Sequence, residues 1–281
     1  MGKLRIDNLK QYADLAYDIL ENNTNYKRGK KIISEIFKIR PNYDLSFSDI
    51  VILRLTVIDS YYSTQMNKRI FGIEDIANKI EEFKTDDFLK KQCEIFLDNP
   101  TKSNSDISRL FEDKFGIHKN GNESGQAASL ISKYLYFLMD YKFPIFDSLA
   151  IESYKTLIKY NNLNLKPISH RYNHSYFENI KTLNLNANIK DYNKLDNFLW
   201  LTGKIKNGSF SLILNKEEYK KFLEVSNLNI EIERFKKELK ENNKKNKRII
   251  NDVIFKFLKD NNTENIFEGN LSKFIQFSIR L

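Results

Sequence analysis

The stretch Ser129–Tyr154, SLISKYLYFLMDYKFPIFDSLAIESY, holds a lysine on a helix, a proline-broken turn and an aspartate at the mouth of the next helix. Leu130, Ile131, Tyr134, Leu135 and Leu138 recur at helical spacing and define one apolar face. Lys133 projects near the edge of that stripe, with Phe137 one turn on. Phe143-Pro144 ends the pattern, because proline lacks an N–H and restricts the residue before it. Asp147 then stands in the N-cap position of a second helix that begins Ser148-Leu149-Ala150. Lys133 and Asp147 can therefore face each other across the turn. Read from residue type alone, the pair is a solvated lysine and a helix cap.

This arrangement resembles the helix-hairpin-helix superfamily of DNA base-excision glycosylases, and within it the 8-oxoguanine DNA glycosylase-like branch. The resemblance implies that Lys133 attacks the sugar and that Asp147 assists. It also implies double-stranded DNA with a damaged or modified base as the partner, an imine-linked lyase step, and no cofactor or metal. The base is 8-oxoguanine by family default, with a modified pyrimidine or phage base as the other possibility.

Outside that stretch the chain is helical in pattern, with nine glycines and four prolines in 281 residues. Apolar residues make 41% of it and aromatics 13%, enough for a packed core. The net charge of +9 fits a polyanionic partner, although lysine-rich chains also drift basic without one. The one cysteine, Cys93, excludes an intramolecular disulfide and a four-cysteine iron–sulfur cluster; its apolar neighbours mark it as packed. No run suits a signal peptide or a membrane span, so a cytoplasmic protein without a membrane partner is expected.

Helices are expected over Leu9–Glu21, Lys27–Ile39, from Ser46-Phe47-Ser48-Asp49 onward, Ile73–Phe83 and Phe88–Leu97, and again along Ile107, Leu110, Phe111 and Phe115. The basic run Lys27-Arg28-Gly29-Lys30-Lys31 reads as a solvated surface. Tyr62–Asn67 follows a buried helix. By resemblance it is the turn that enters DNA, with Gln65 or Asn67 filling the hole left by the flipped nucleotide, because an orphaned partner base needs new hydrogen bonds. Lys68 and Arg69 then contact phosphate. The Gly116–Gly125 segment stands where the superfamily has its hairpin. Gly121 and Gly125, with Lys119, are the phosphate-gripping equivalents, and their spacing departs from the family pattern.

His170 and His174 lie four apart without an accompanying cysteine or glutamate in sequence, which reads as no metal site. Asp191–Lys204 is a helix with Gly203 as its C-cap. By resemblance, Phe198 and Trp200 wall the base pocket with Phe137, while core packing is their ordinary reading. Ser209–Leu214 is a short strand or a buried helical turn. Helices follow over Glu217–Val225, Ile230–Leu239 and Ile249–Leu258, with the basic run Lys236–Arg248 as a solvated linker or helix face. The expected fold is mainly α: a helix-hairpin-helix glycosylase-like helical core over residues 1–214 and an accessory helical C-terminal unit over 215–281. The alternative function is a non-catalytic helical DNA-binding or partner-binding protein on the same scaffold.

Overall fold

A computed structural model describes residues 8–100, 105–161, 174–225, 247–260 and 269–281, with single positions 165, 168, 172, 230, 234, 237, 266 and 267 between them. The expected helix over Ile230–Leu239, the run Lys236–Arg248 and His170 lie wholly or mostly outside the described residues.

Among the described residues the fold is built from thirteen α-helices. They are α1 (Leu9–Asn22), α2 (Thr24–Ile36), α3 (Phe47–Tyr62), α4 (Gly72–Glu81), α5 (Asp86–Asp98), α6 (Asp106–Glu112), α7 (Ala128–Leu138), α8 (Ser148–Asn161), α9 (His174–Asn186), α10 (Tyr192–Lys206), α11 (Lys216–Val225), α12 (Lys247–Asp260) and α13 (Gly269–Arg280). Short 3₁₀ turns lie at Met66–Lys68 and Phe210–Leu212, the second where a strand or helical turn was expected. No described helix is long and apolar enough to cross a membrane.

Local chemistry sets the helix starts. Ser46 accepts from the Asp49 N–H while the Asp49 carboxylate accepts from the Ser46 N–H, a reciprocal capping box that opens α3. Thr85 and Ser105 cap α5 and α6 with their hydroxyls. Gly203, expected as a C-cap, lies inside α10, which continues to Lys206.

The described chain divides into two compact units. One comprises residues 28–151 and 163–196; the other comprises 1–27, 152–162 and 197–281. This grouping differs from the division expected at residue 214. The apolar stripe of α1, Leu9, Ala13, Ala16 and Leu20, is covered by α13, with Tyr12 stacked on Phe277. The C-terminal helices thus complete the unit that begins the chain. A pattern of periodicity shows that a stripe must be covered, not which distant helix covers it.

In the 28–151/163–196 unit, α7 is the central helix, packed by α3, α5 and α6. Every residue from Leu130 to Leu138 is buried. Arg54 of α3 is itself buried, forming a two-pronged ion pair with Asp86 at 2.7 and 2.9 Å and capping the Phe37 and Ile39 carbonyls at 3.1 Å. Cys93 is buried, and burial pushes its thiol up, which fits a packed role.

Candidate active site

Lys133 lies within the packed interior, 4% exposed, because α7 is enclosed on all sides; it is not at the rim of a stripe. Its Nζ donates to Ser129 Oγ at 2.7 Å and pairs with Asp147 Oδ2 at 3.3 Å. The turn between them is fixed by the neighbour of Lys133. Ser132 Oγ accepts the Phe146 N–H at 2.9 Å and donates back to the Phe146 carbonyl at 3.3 Å. The Tyr176 hydroxyl donates to the Ile145 carbonyl at 2.5 Å. Helix α7 stops at two consecutive left-handed residues, Asp140 and Tyr141, where the Tyr141 N–H returns to the Tyr136 carbonyl at 2.7 Å. Asp147 serves two functions at once. Oδ1 accepts the Ala150 N–H at 2.8 Å as the cap of α8, and Oδ2 faces Lys133.

Around this pair the fold collects polar groups whose importance the sequence reading missed. Lys30 is 5% exposed, although it belongs to the run expected to be solvated. It lies in register with Ile33 on the inner face of α2 and with Phe37 just past its end, an i, i+3, i+7 spacing that marks it as inward. Its Nζ donates to Asn193 Oδ1 at 2.7 Å and stands 4.2 Å from the centre of the Tyr141 ring. The Tyr136 hydroxyl donates to the same Asn193 oxygen at 2.7 Å. Tyr62, half-buried at the end of α3, presents its ring 5.5 Å from Lys133 Nζ. Asp196, one turn after Asn193 on α10, is 8% exposed. Burial, and then the Asp147 charge, push its carboxyl up to about 7 against the pull of Lys30 and Lys133. Burial and the same two carboxylates hold the Tyr62 phenol well above its usual range.

The expected plug loop starts at Tyr62 and is laced to one carboxylate. Asp59, 3% exposed, accepts from Thr64 Oγ1, from the Met66 N–H at 2.8 Å and from the Asn67 N–H at 3.0 Å. Ser63 and Gln65 adopt left-handed backbone, at φ 51° and 65°, which only such over-determination sustains. Gln65 and Asn67 are both exposed. Lys68 is exposed as well, with Nζ 3.4 Å from Gln65 Oε1.

Arg69 has partners within the protein that the sequence did not suggest. Its guanidinium donates to the carbonyls of Phe115 (3.2 Å), Gly125 (2.5 Å) and Gln126 (3.3 Å), so it clamps the hairpin that the sequence had it sharing phosphate with. The 116–125 segment folds as a short turn held by two isolated β-bridges. Ile117 bridges both Ile70 and Glu123, and Gly121 sits at the tip with φ 81°. The Gly121 N–H is spent on the His118 carbonyl at 2.8 Å, so Gly121 does not offer that amide to a phosphate. Lys119 at the tip and Gly125 ahead of α7 are exposed.

The base-pocket expectations are corrected too. Phe137 is 3% exposed and supports Tyr62, Tyr136 and Tyr141 from behind. Phe198 is fully buried against Phe274 and Phe277 in the other unit. Trp200 belongs to that unit as well, beside Tyr26 and Lys204. Tyr62 and Tyr141 are the rings that stand over the two buried lysines. His174 pairs with Glu112 at 2.7 Å, and no group of described residues suits a metal ion. Comparisons of the chain with protein-family models, curated proteins and solved structures give no match.

Proposed function

We propose that this chain is a DNA base-excision glycosylase in which Lys133 is the nucleophile and Asp147 its partner, with a lyase step through a lysine imine. The observation that carries the reading is a lysine 4% exposed, in contact with a helix-capping carboxylate, beside an aromatic ring and a polar loop. An interior lysine paired in this way is costly to keep and is a common feature of sites that do chemistry. The net charge of +9 suits a polyanionic substrate.

In this mechanism the target nucleotide leaves the stack, at a cost of a few kcal/mol. Lys133 must give up a proton before it can attack, and Asp147 Oδ2 is in contact to take it. Nζ then bonds to the anomeric carbon as the bond to the base nitrogen breaks. The base leaves with that electron pair and takes up a proton. That proton comes from Asp147, whose restored carboxylate then stabilises the positive charge on the sugar. Ring opening and loss of the second Nζ proton give the imine, and β-elimination then cleaves the 3′ carbon–oxygen bond.

The test is borohydride trapping on duplex DNA with an abasic site, wild type beside Lys133→Gln. A covalent adduct that disappears in the variant supports the reading; no wild-type adduct with DNA binding intact sinks it. One observation favours a second reading, a helical DNA-binding protein without catalysis. The turn amide of Gly121 and the guanidinium of Arg69 are paired within the protein. Such a protein would bind the duplex and trap nothing.

A further inference from the structure

Two oxygens hold the Lys133 amine, and the proposed mechanism uses only that of Asp147. The shorter contact is the other one: Nζ lies 2.7 Å from Ser129 Oγ and 3.3 Å from Asp147 Oδ2. Side chains on a helix lean toward its N-terminus, so Lys133 runs back over the first turn of α7 and its amine arrives at the residue one turn earlier. On an exposed helix such a lysine–serine contact competes with water and counts for little. Lys133 is 4% exposed, so the oxygens around Nζ stand in for water that the amine has lost.

Ser129 is also tied to the turn that carries Asp147. Its carbonyl accepts from Ser132 Oγ at 3.2 Å, and the same hydroxyl proton is shared with the Phe146 carbonyl at 3.3 Å. Ser132 Oγ in return accepts the Phe146 N–H at 2.9 Å. Asp147 comes next in the chain, with Oδ1 fixed by the Ala150 N–H at 2.8 Å. One residue thus holds the amine through its side chain and, through its carbonyl, the turn that presents the carboxylate.

Nζ is tetrahedral. Cε takes one direction, Ser129 a second and Asp147 a third, which leaves one. The charged amine points its third N–H there. The neutral amine has two N–H groups; with both held by the two oxygens, its lone pair takes the remaining direction. A hydroxyl oxygen accepts from either form of the amine. We propose that Ser129 is a positioning residue of this site, and that its hydroxyl, together with Asp147, aims the Lys133 lone pair at the anomeric carbon of an extruded sugar. The inference rests on the base-excision reading. Without the Ser129 oxygen one acceptor remains, and the amine turns about the Cε–Nζ bond among directions of which one faces the substrate.

The test uses the full chain on a duplex with one abasic site, which presents no base to read. Wild type, Ser129→Ala, Ser129→Thr and Lys133→Gln are compared in strand cleavage at saturating enzyme, borohydride trapping, duplex affinity and thermal unfolding. Ser129→Ala is expected to cleave roughly 10- to 100-fold more slowly, with affinity and unfolding temperature kept, because a misaimed nucleophile lowers the rate of the bound complex and not its formation. Ser129→Thr keeps the oxygen and recovers most of the rate. Wild-type trapping with a Ser129→Ala protein as fast as wild type overturns the role of Ser129 and leaves the lysine chemistry standing. A Ser129→Ala protein whose affinity or unfolding temperature falls along with its rate overturns that role too, as does a threonine variant as slow as the alanine one. A wild type that forms no adduct refutes the proposed function itself.

Discussion

Replacing Asp196 by Asn should stabilise this protein at neutral and alkaline pH and do almost nothing in acid. The carboxyl is displaced from an ordinary 3.8 to about 7, chiefly by burial and then by the charge of Asp147, with Lys30 and Lys133 pulling the other way. An acid whose folded-state titration lies above its unfolded one stabilises the fold below the unfolded value. That contribution is lost as the pH rises through the folded one. The window here runs from about 4 to about 7. It spans about three pH units at 1.36 kcal/mol each, a ceiling on the order of 4 kcal/mol. Asparagine has the shape of the neutral acid and cannot ionise, so the variant escapes this loss. Urea unfolding of the two proteins at several pH values measures it. The stability difference should be smallest near pH 4, grow in favour of the variant by about 1.4 kcal/mol per unit at most, and level off above about pH 7. Any fixed packing difference between amide and acid is the same at every pH and cancels. A difference that stays flat from pH 4 to pH 8 would refute the reasoning, for it would mean the carboxylate is solvated in the folded state.

Three further outcomes follow from the geometry. Ser132→Ala leaves the buried Phe146 N–H without its acceptor; it should cost about 1–3 kcal/mol in thermal or urea unfolding and slow any Lys133 chemistry by moving Asp147. Asp59→Ala removes three hydrogen bonds from the Ser63–Asn67 turn, so hydrogen exchange at the Met66 and Asn67 amides should speed up markedly and duplex affinity should fall, with abasic trapping at saturating DNA preserved. Gly116→Ala places a methyl 2.9 Å from the Gly72 Cα and from the Ile70 carbonyl, on a backbone already at φ 71°; a loss of about 1–3 kcal/mol is expected, whereas Gly125→Ala, whose added carbon meets nothing within 4 Å, should be nearly neutral.

The amino-acid sequence by itself determined most of the helices and some of their starts, though not the helices over His174–Asn186 and Gly269–Arg280. The 3.6-residue spacing of Leu130, Ile131, Tyr134 and Leu138 makes α7, and Ser46 with Asp49 opens α3, because periodicity and capping are local and act within one turn. It also placed Lys133 and Asp147 on the two sides of one proline turn, so their contact at 3.3 Å was legible. Tertiary structure decided what each face meets. It buried Lys30 out of a basic run, tied Arg69 to three carbonyls, put Phe198 into a core with Phe274 and Phe277, and laid α13 over α1. It also set Asn193 and Asp196 beside two buried lysines that lie 60 or more positions earlier in the chain. Burial and charge are sums over neighbours from distant segments. A window of sequence contains the groups that titrate, but not the groups that make them do so.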